Sequence, residues 1–231
     1  MPGIDPASAI RLSLLVAAWA VIACTPFALG LGWLLARKQF FGKALVSTLI
    51  LAPLVLPPVV TGFLLLRAFG RHSPLGPLLQ SLGCPVPFTL TGAVVAAIVM
   101  ALPLYTTAIR TAIQAVDRRY EEVAATCGLT PGATWRQITL PLALPGIAAG
   151  AVLAFARALG EFGATAVLAG NVEGRTRTIA LAIYSLLESP NGDAAVRQLV
   201  WASLGLSLGA LVLYELLNRW QRRRLGEDRD G

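Results

Sequence analysis

The 231-residue chain is 56% hydrophobic and 13% charged, with a mean hydropathy of +0.69, which narrows its class to an unusually apolar globular domain or a polytopic membrane protein. A net charge of +7 would suit nucleic acid, but the basic residues cluster beside apolar runs, and that placement excludes a nucleic-acid partner.

Taken in chain order, apolar runs fall at about 10–36, 44–69, 88–113, 141–160 and 200–217. Each is near or above the roughly 17–25 residues needed to cross hydrocarbon as a helix. The first has no Lys or Arg before Arg11 and is about twice as long as a signal-peptide core, so it is expected to be retained. The second contains Pro53, Pro57 and Pro58, which remove backbone donors and should kink or unwind it. One such proline suits a packing kink; three close together favour a cavity wall, with Pro57 and Pro58 as candidates to border a conduit.

Between the third and fourth runs lies a polar insert, 114–140, containing EEVAATCGLTPGATWRQITLP. Helix formers lead to Cys127, and Gly128 is placed to end that helix. Thr130-Pro131 then supplies an N-cap and a proline at the first helical position. The pattern predicts two short helices joined at a glycine. The fourth run holds Gly146 and Gly150 and the fifth Gly205 and Gly209, each a GxxxG face whose partner the sequence leaves open. Residues 178–188 are too short to cross and are expected to lie at the interface or to re-enter.

Twelve of the nineteen basic residues, among them Arg37, Lys38, Lys43, Arg110, Arg118, Arg119, Arg136 and the Arg219–Arg224 cluster, fall on one side of a five-span arrangement. The positive-inside rule then puts the N-terminus outside, the C-terminus inside and the 114–140 insert in the cytoplasm. A sixth span would carry Arg222–Arg224 outside and is rejected on that ground.

Arg157 and Glu161 stand at i, i+4 near the membrane portion and can neutralise one another. Two readings stay open: a self-satisfied pair, or a charged position beside an anion pathway that would include Gly163. His72 reads as an interfacial polar residue. Cys24, Cys84 and Cys127 show neither CxxC spacing nor a nearby histidine, so no metal, cofactor or disulfide framework is implied. An integral-membrane enzyme and a secondary transporter are the weaker alternatives: the one acidic group, Asp117, Glu121 and Glu122, has no metal-like spacing, and five spans with one charged pair show no repeated halves.

The insert resembles the cytoplasmic loop of ABC-importer permeases, whose pattern is Glu-Ala-Ala, three residues, Gly, nine residues, Ile, one residue, Leu-Pro. Here Glu122, Val123 and Ala124 are followed at matching spacing by Gly128, Ile138, Leu140 and Pro141, with Val123 the one departure. RKQFFGKAL, LAPLVLPPVVTGFLLL and LPLALPGIAAGAVLAFARALGEFGATAVLAGN extend the likeness to the permease subunit of bacterial molybdate transporters over nearly the whole chain. Some members of that family carry a further N-terminal span, which the five-span count does not lead one to expect here.

The resemblance implies an all-α, polytopic inner-membrane subunit acting with a second copy of itself, cytoplasmic ABC ATPase subunits and a periplasmic molybdate-binding protein, within membrane lipid. Glu122, Ala124, Gly128, Thr130, Pro131, Ile138, Leu140 and Pro141 would couple it to the ATPase. Because GxxxxGK[ST] is absent, ATP would be hydrolysed by the partner. Sulfate, thiosulfate or tungstate are the alternative cargoes.

Overall fold

The computed structural model describes residues 5–71, 73, 75–189 and 192–225, the last four through their backbone alone. The expectations on His72 and on the side chains of Arg222, Arg223 and Arg224 lie outside the described residues. Helices follow one another as α1 (Pro6–Arg37), α2 (Lys43–Val55), α3 (Pro58–Phe69), α4 (Leu75–Ser81), α5 (Leu90–Gln114), α6 (Arg118–Thr126), α7 (Pro131–Thr134), α8 (Leu140–Leu159), α9 (Gly163–Leu168), α10 (Ile179–Leu187) and α11 (Asp193–Leu225). Among the described residues there is no strand, as the all-α expectation requires.

Among the described residues four helical segments are long and apolar enough to cross a membrane, and a fifth crossing arises if α2 and α3 count as one broken span. That break is sharper than a kink: the two halves meet at 113°. Leu56 and Pro57 precede prolines and are extended, with ψ of 139° and 131°, because the following ring disfavours helical backbone.

α5 is the centre of the bundle, with α1 and α8 against it and α11 against α8. The contact is made by small residues: Ala17, Ala20, Cys24 and Ala28 of α1 meet Ala93, Ala97 and Ala101 of α5 in one buried cluster. Small side chains bring helix backbones close, which compensates for the weak hydrophobic drive between helices in lipid. A Cβ on Gly32 would stand 2.5 Å from Ile109, so α1 and α5 meet there with no spare room.

The two GxxxG faces have different fates. Gly146 is pressed against the Gln221 side chain of α11 and Gly150 against Ala108 and Tyr105 of α5, whereas Gly205 and Gly209 have nothing within 4 Å. The α10 helix has nine residues, fewer than a crossing needs; its first N–H, on Ile179, donates to Ser13 Oγ at 2.7 Å, and Ile179, Ala182 and Leu186 pack with Ala9 and Leu199.

Candidate functional site

Two places gather the residues singled out by the sequence. The first is the elbow between α5 and α8. Asp117 caps α6 by accepting the Arg119 N–H at 2.9 Å. The helix ends at Gly128, whose φ of +81° is left-handed. Gly128 N–H donates to Ala125 O and Leu129 N–H to Ala124 O, both at 3.0 Å, which is a Schellman motif. Thr130 Oγ1 then accepts the Ala133 N–H at 3.4 Å and opens α7 with Pro131 at its first position.

The two helices are joined at Gly128 as expected, but the second is not short. α7 passes through a π-helical turn, Trp135–Thr139, directly into α8, so Pro131–Leu159 is one continuous rod. A π turn adds a residue to the turn and re-phases the helix beyond it. Pro131 is thus joined to the bundle through unbroken helix.

Glu121 ties the elbow to the bundle. Its Oε1 lies 2.9 Å from Arg37 Nη2 of α1 and accepts the Thr139 hydroxyl at 2.8 Å. Arg37 Nη2 also donates to Val116 O at 2.9 Å. Trp33 and Trp135 meet edge to face with centroids 6.3 Å apart, and Lys38 Nζ sits 5.6 Å from the Trp33 ring centroid. Beside them opens a hollow of about 480 Å³ lined by Trp33, Arg37, Glu122, Leu129, Pro131 and Trp135 among others.

The motif residues divide by exposure. Glu122, Gly128, Thr130, Pro131 and Pro141 face outward, Ile138 and Leu140 are half-buried, and Ala124 is buried. Sequence reasoning missed Arg37, Glu121 and Thr139. Helical phase holds the clue for one of them: Glu121 and Ala124 are three apart and share the inward face, while Glu122 is turned away.

The second place is at the far end of α8, where the α2/α3 break meets the turn into α9. Arg157 Nη1 lies 2.7 Å from Glu161 Oε2, and Glu161 Oε1 accepts the Ala164 N–H at 2.9 Å. Glu161 is 2% exposed and both its oxygens are engaged. A Cβ on Gly163 would stand 2.8 Å from Pro58 Cβ, and one on Gly62 2.8 Å from the Ala164 backbone, so α3 and α9 are in backbone contact. Pro57 and Pro58 are themselves exposed. The fold thus brings Pro58, Glu161 and Gly163 together, with Arg157 held through its ion pair. A larger hollow of about 1370 Å³ between α3, α4 and residues 85–88 contains none of these residues. Among the described residues no cluster of His, Cys, Asp or Glu has a metal-binding arrangement.

Comparison with known proteins agrees with this architecture. Residues 28–226 match the family model "Binding-protein-dependent transport system inner membrane component". The chain is 44% identical over 221 residues to the molybdenum transport system permease protein ModB of Haemophilus influenzae, covering 95% of this chain and 96% of that one. It is 45% identical over 219 residues to the protein of the same name in Escherichia coli, covering 94% and 96%. Among solved structures, the MetNI methionine ABC transporter in an inward-facing conformation matches with a TM-score of 0.68 at 17% identity, covering 94% of each chain. A bacterial ABC transporter that imports alginate matches at 0.67 and 20%, covering 94% of this chain and 78% of that one. With most of its length matched, the chain belongs to the family of inner-membrane components of binding-protein-dependent transport systems.

Proposed function

We propose that the chain is the permease subunit of an ATP-driven importer that carries molybdate across the inner membrane. Two copies form the conduit, a separate cytoplasmic ATPase supplies the energy, and a periplasmic binding protein delivers the anion. The observation that carries the coupling is the exposed elbow, whose outward residues Glu122, Gly128, Thr130 and Pro131 are fixed to α1 and α8 by the Arg37, Glu121 and Thr139 contacts. A protruding helix that continues without interruption into a spanning helix transmits a push, and ATP binding by the partner then biases which face of the conduit is open.

The cargo rests on the names of the relatives, 44% and 45% identical over almost the full chain. The excess of basic residues beside the elbow and the last span supports a cytoplasmic elbow and C-terminus with the N-terminus outside. The open Gly205 and Gly209 face of α11 and the exposed apolar surface of α2 and α3 support contact with lipid and a second copy.

The test is uptake of radiolabelled molybdate into vesicles holding the chain with its ATPase and binding protein. Uptake that needs ATP and all three components is expected, with tungstate competing and sulfate not. Uptake blocked equally by sulfate would transfer the assignment to a general oxyanion permease, and ATP-independent uptake would refute it.

A further inference from the structure

Thr107, Arg110, Thr111 and Gln114 recur at i, i+3, i+4 and i+7 on the last two turns of α5, so all four share one face. That face is uncovered: Thr107, Thr111 and Gln114 are exposed and Arg110 is half-buried. The other sides of the same turns are occupied, with Gly32 of α1 closing on Ile109 and Gly150 of α8 on Ala108 and Tyr105. The hydroxyl of Thr107 bonds back to Pro103 O at 2.8 Å, which keeps its side chain against the helix and its oxygen lone pairs outward.

Among the described arginines of the spanning helices, Arg110 is the one that is half-buried without an ion pair; Arg11, Arg67, Arg136 and Arg197 also lack one but are exposed. Arg37 is paired with Glu121, Arg157 with Glu161 and Arg219 with Glu215. Among the described residues Arg110 has no carboxylate within 4.0 Å, and its Nε is buried with no hydrogen-bond partner. It stands four residues inside the end of an apolar spanning helix, about 6 Å along the axis at 1.5 Å per residue. An ionisable group in such a position points to a water-filled path or to a functional contact. A lipid-facing stripe would be apolar, as it is on α11, where Leu204, Leu208 and Leu211 are exposed.

We propose that this stripe lines the elbow end of the conduit and that Arg110 is the transient contact for a tetrahedral divalent oxyanion leaving it. The assignment rests on the permease reading. A guanidinium presents a fork of donors suited to two oxygens of one anion, and the Gln114 amide and Thr111 hydroxyl offer neutral donors in the same row. One cation per chain, and two in a paired assembly, matches the charge of a dianion without the deep well that would stop release.

The experiment uses the complete transporter in vesicles. Cys24, Cys84 and Cys127 are replaced, and a single cysteine is placed at Thr107, Thr111 or, as a lipid-facing control, Leu208. Expected is reaction of Thr107→Cys and Thr111→Cys, but not Leu208→Cys, with a water-soluble anionic thiosulfonate, slowed at least about threefold by molybdate at a concentration that saturates transport. Arg110→Gln should lower uptake about tenfold and Arg110→Lys much less, as for loss of one charged hydrogen-bond donor, while Arg219→Gln, at an exposed ion pair, leaves uptake unchanged. Absence of water-soluble labelling at both stripe positions, as for a stripe set against lipid headgroups, overturns the proposal, and so does Arg110→Gln uptake within about twofold of the parent. If the parent itself shows no ATP-driven uptake, the permease reading fails instead.

Discussion

Arg37, the last residue of α1, and Glu121, in the middle of α6, are joined by a 2.9 Å ion pair that makes the tip of a spanning helix and the elbow a single mechanical unit. The same carboxylate oxygen takes the Thr139 hydroxyl, and the same guanidinium nitrogen holds Val116 O, so one contact fixes α1, the α5–α6 connection, α6 and the base of α8. The Arg37 side chain is 9% exposed and the Glu121 side chain 29%, which places the pair between a surface bridge and a buried one.

Removing either partner should loosen the elbow. Glu121→Gln keeps the Thr139 bond but loses the charge, and Arg37→Gln strands the carboxylate; each is expected to cost about 1–3 kcal/mol. Thermal unfolding of the detergent-solubilised chain measures that loss. Coupling is read separately as molybdate taken up per ATP hydrolysed, which should fall in both variants. In a double-mutant cycle the pair should be strongly non-additive; additive losses would show that the two residues act independently.

Gly128 separates a steric demand from a conformational one. Nothing lies within 4 Å of where its Cβ would be, yet its φ is +81°. A branched side chain there meets the left-handed penalty of about 1–2 kcal/mol without any clash. Asn, which visits that region, should be tolerated. The expected order of binding-protein-stimulated ATPase activity is Gly128, then Gly128→Asn, then Gly128→Ala, with Gly128→Val last. Equal activity of the Asn and Val variants would remove the left-handed turn from the coupling argument.

At Gly62 the demand is steric. Its added Cβ would stand 2.8 Å from both Ala164 Cα and O, which are backbone atoms with no rotamer to adjust. Gly62→Ala should push α3 off α9 at a cost of about 1–3 kcal/mol, the usual range for overpacking. A Gly205→Ala change on the open face of α11 should leave the isolated chain's stability unchanged, since nothing lies within 4 Å. Comparing the two by thermal unfolding checks the helix contacts directly.

The bundle and its elbow are legible in the sequence because their signals are local: apolar length for the spans, a left-handed glycine and a Thr-Pro start for the elbow. Glu121 is not, because two adjacent glutamates look alike in sequence and only helical phase separates the inward one from Glu122. Arg110 falls inside the 88–113 run yet reads with the loop charges, because sequence alone does not show that its side chain is half-buried on a helix face that other helices leave open. The π turn at Trp135–Thr139 and the 113° angle between α2 and α3 depend on packing against distant segments, although three prolines already mark the second of these.

Arg157 and Glu161 offer a way to separate the two readings that their spacing leaves open. Glu161 uses one oxygen on Arg157 and the other on the Ala164 N–H, so the carboxylate holds the start of α9 as well as the arginine. In Arg157→Ala the buried carboxylate keeps only the backbone donor, and stability should fall markedly, because breaking a buried pair by removing one partner leaves an uncompensated charge. Glu161→Gln added to that background removes the stranded charge and keeps an oxygen for Ala164, so the double variant should be more stable than Arg157→Ala alone. If the double variant also regains molybdate uptake, the pair serves to close the α8–α9 turn. If it regains stability while uptake stays low, the guanidinium itself borders the anion's path, and the conduit then passes the junction of Pro58 and Gly163 that the pair stands beside.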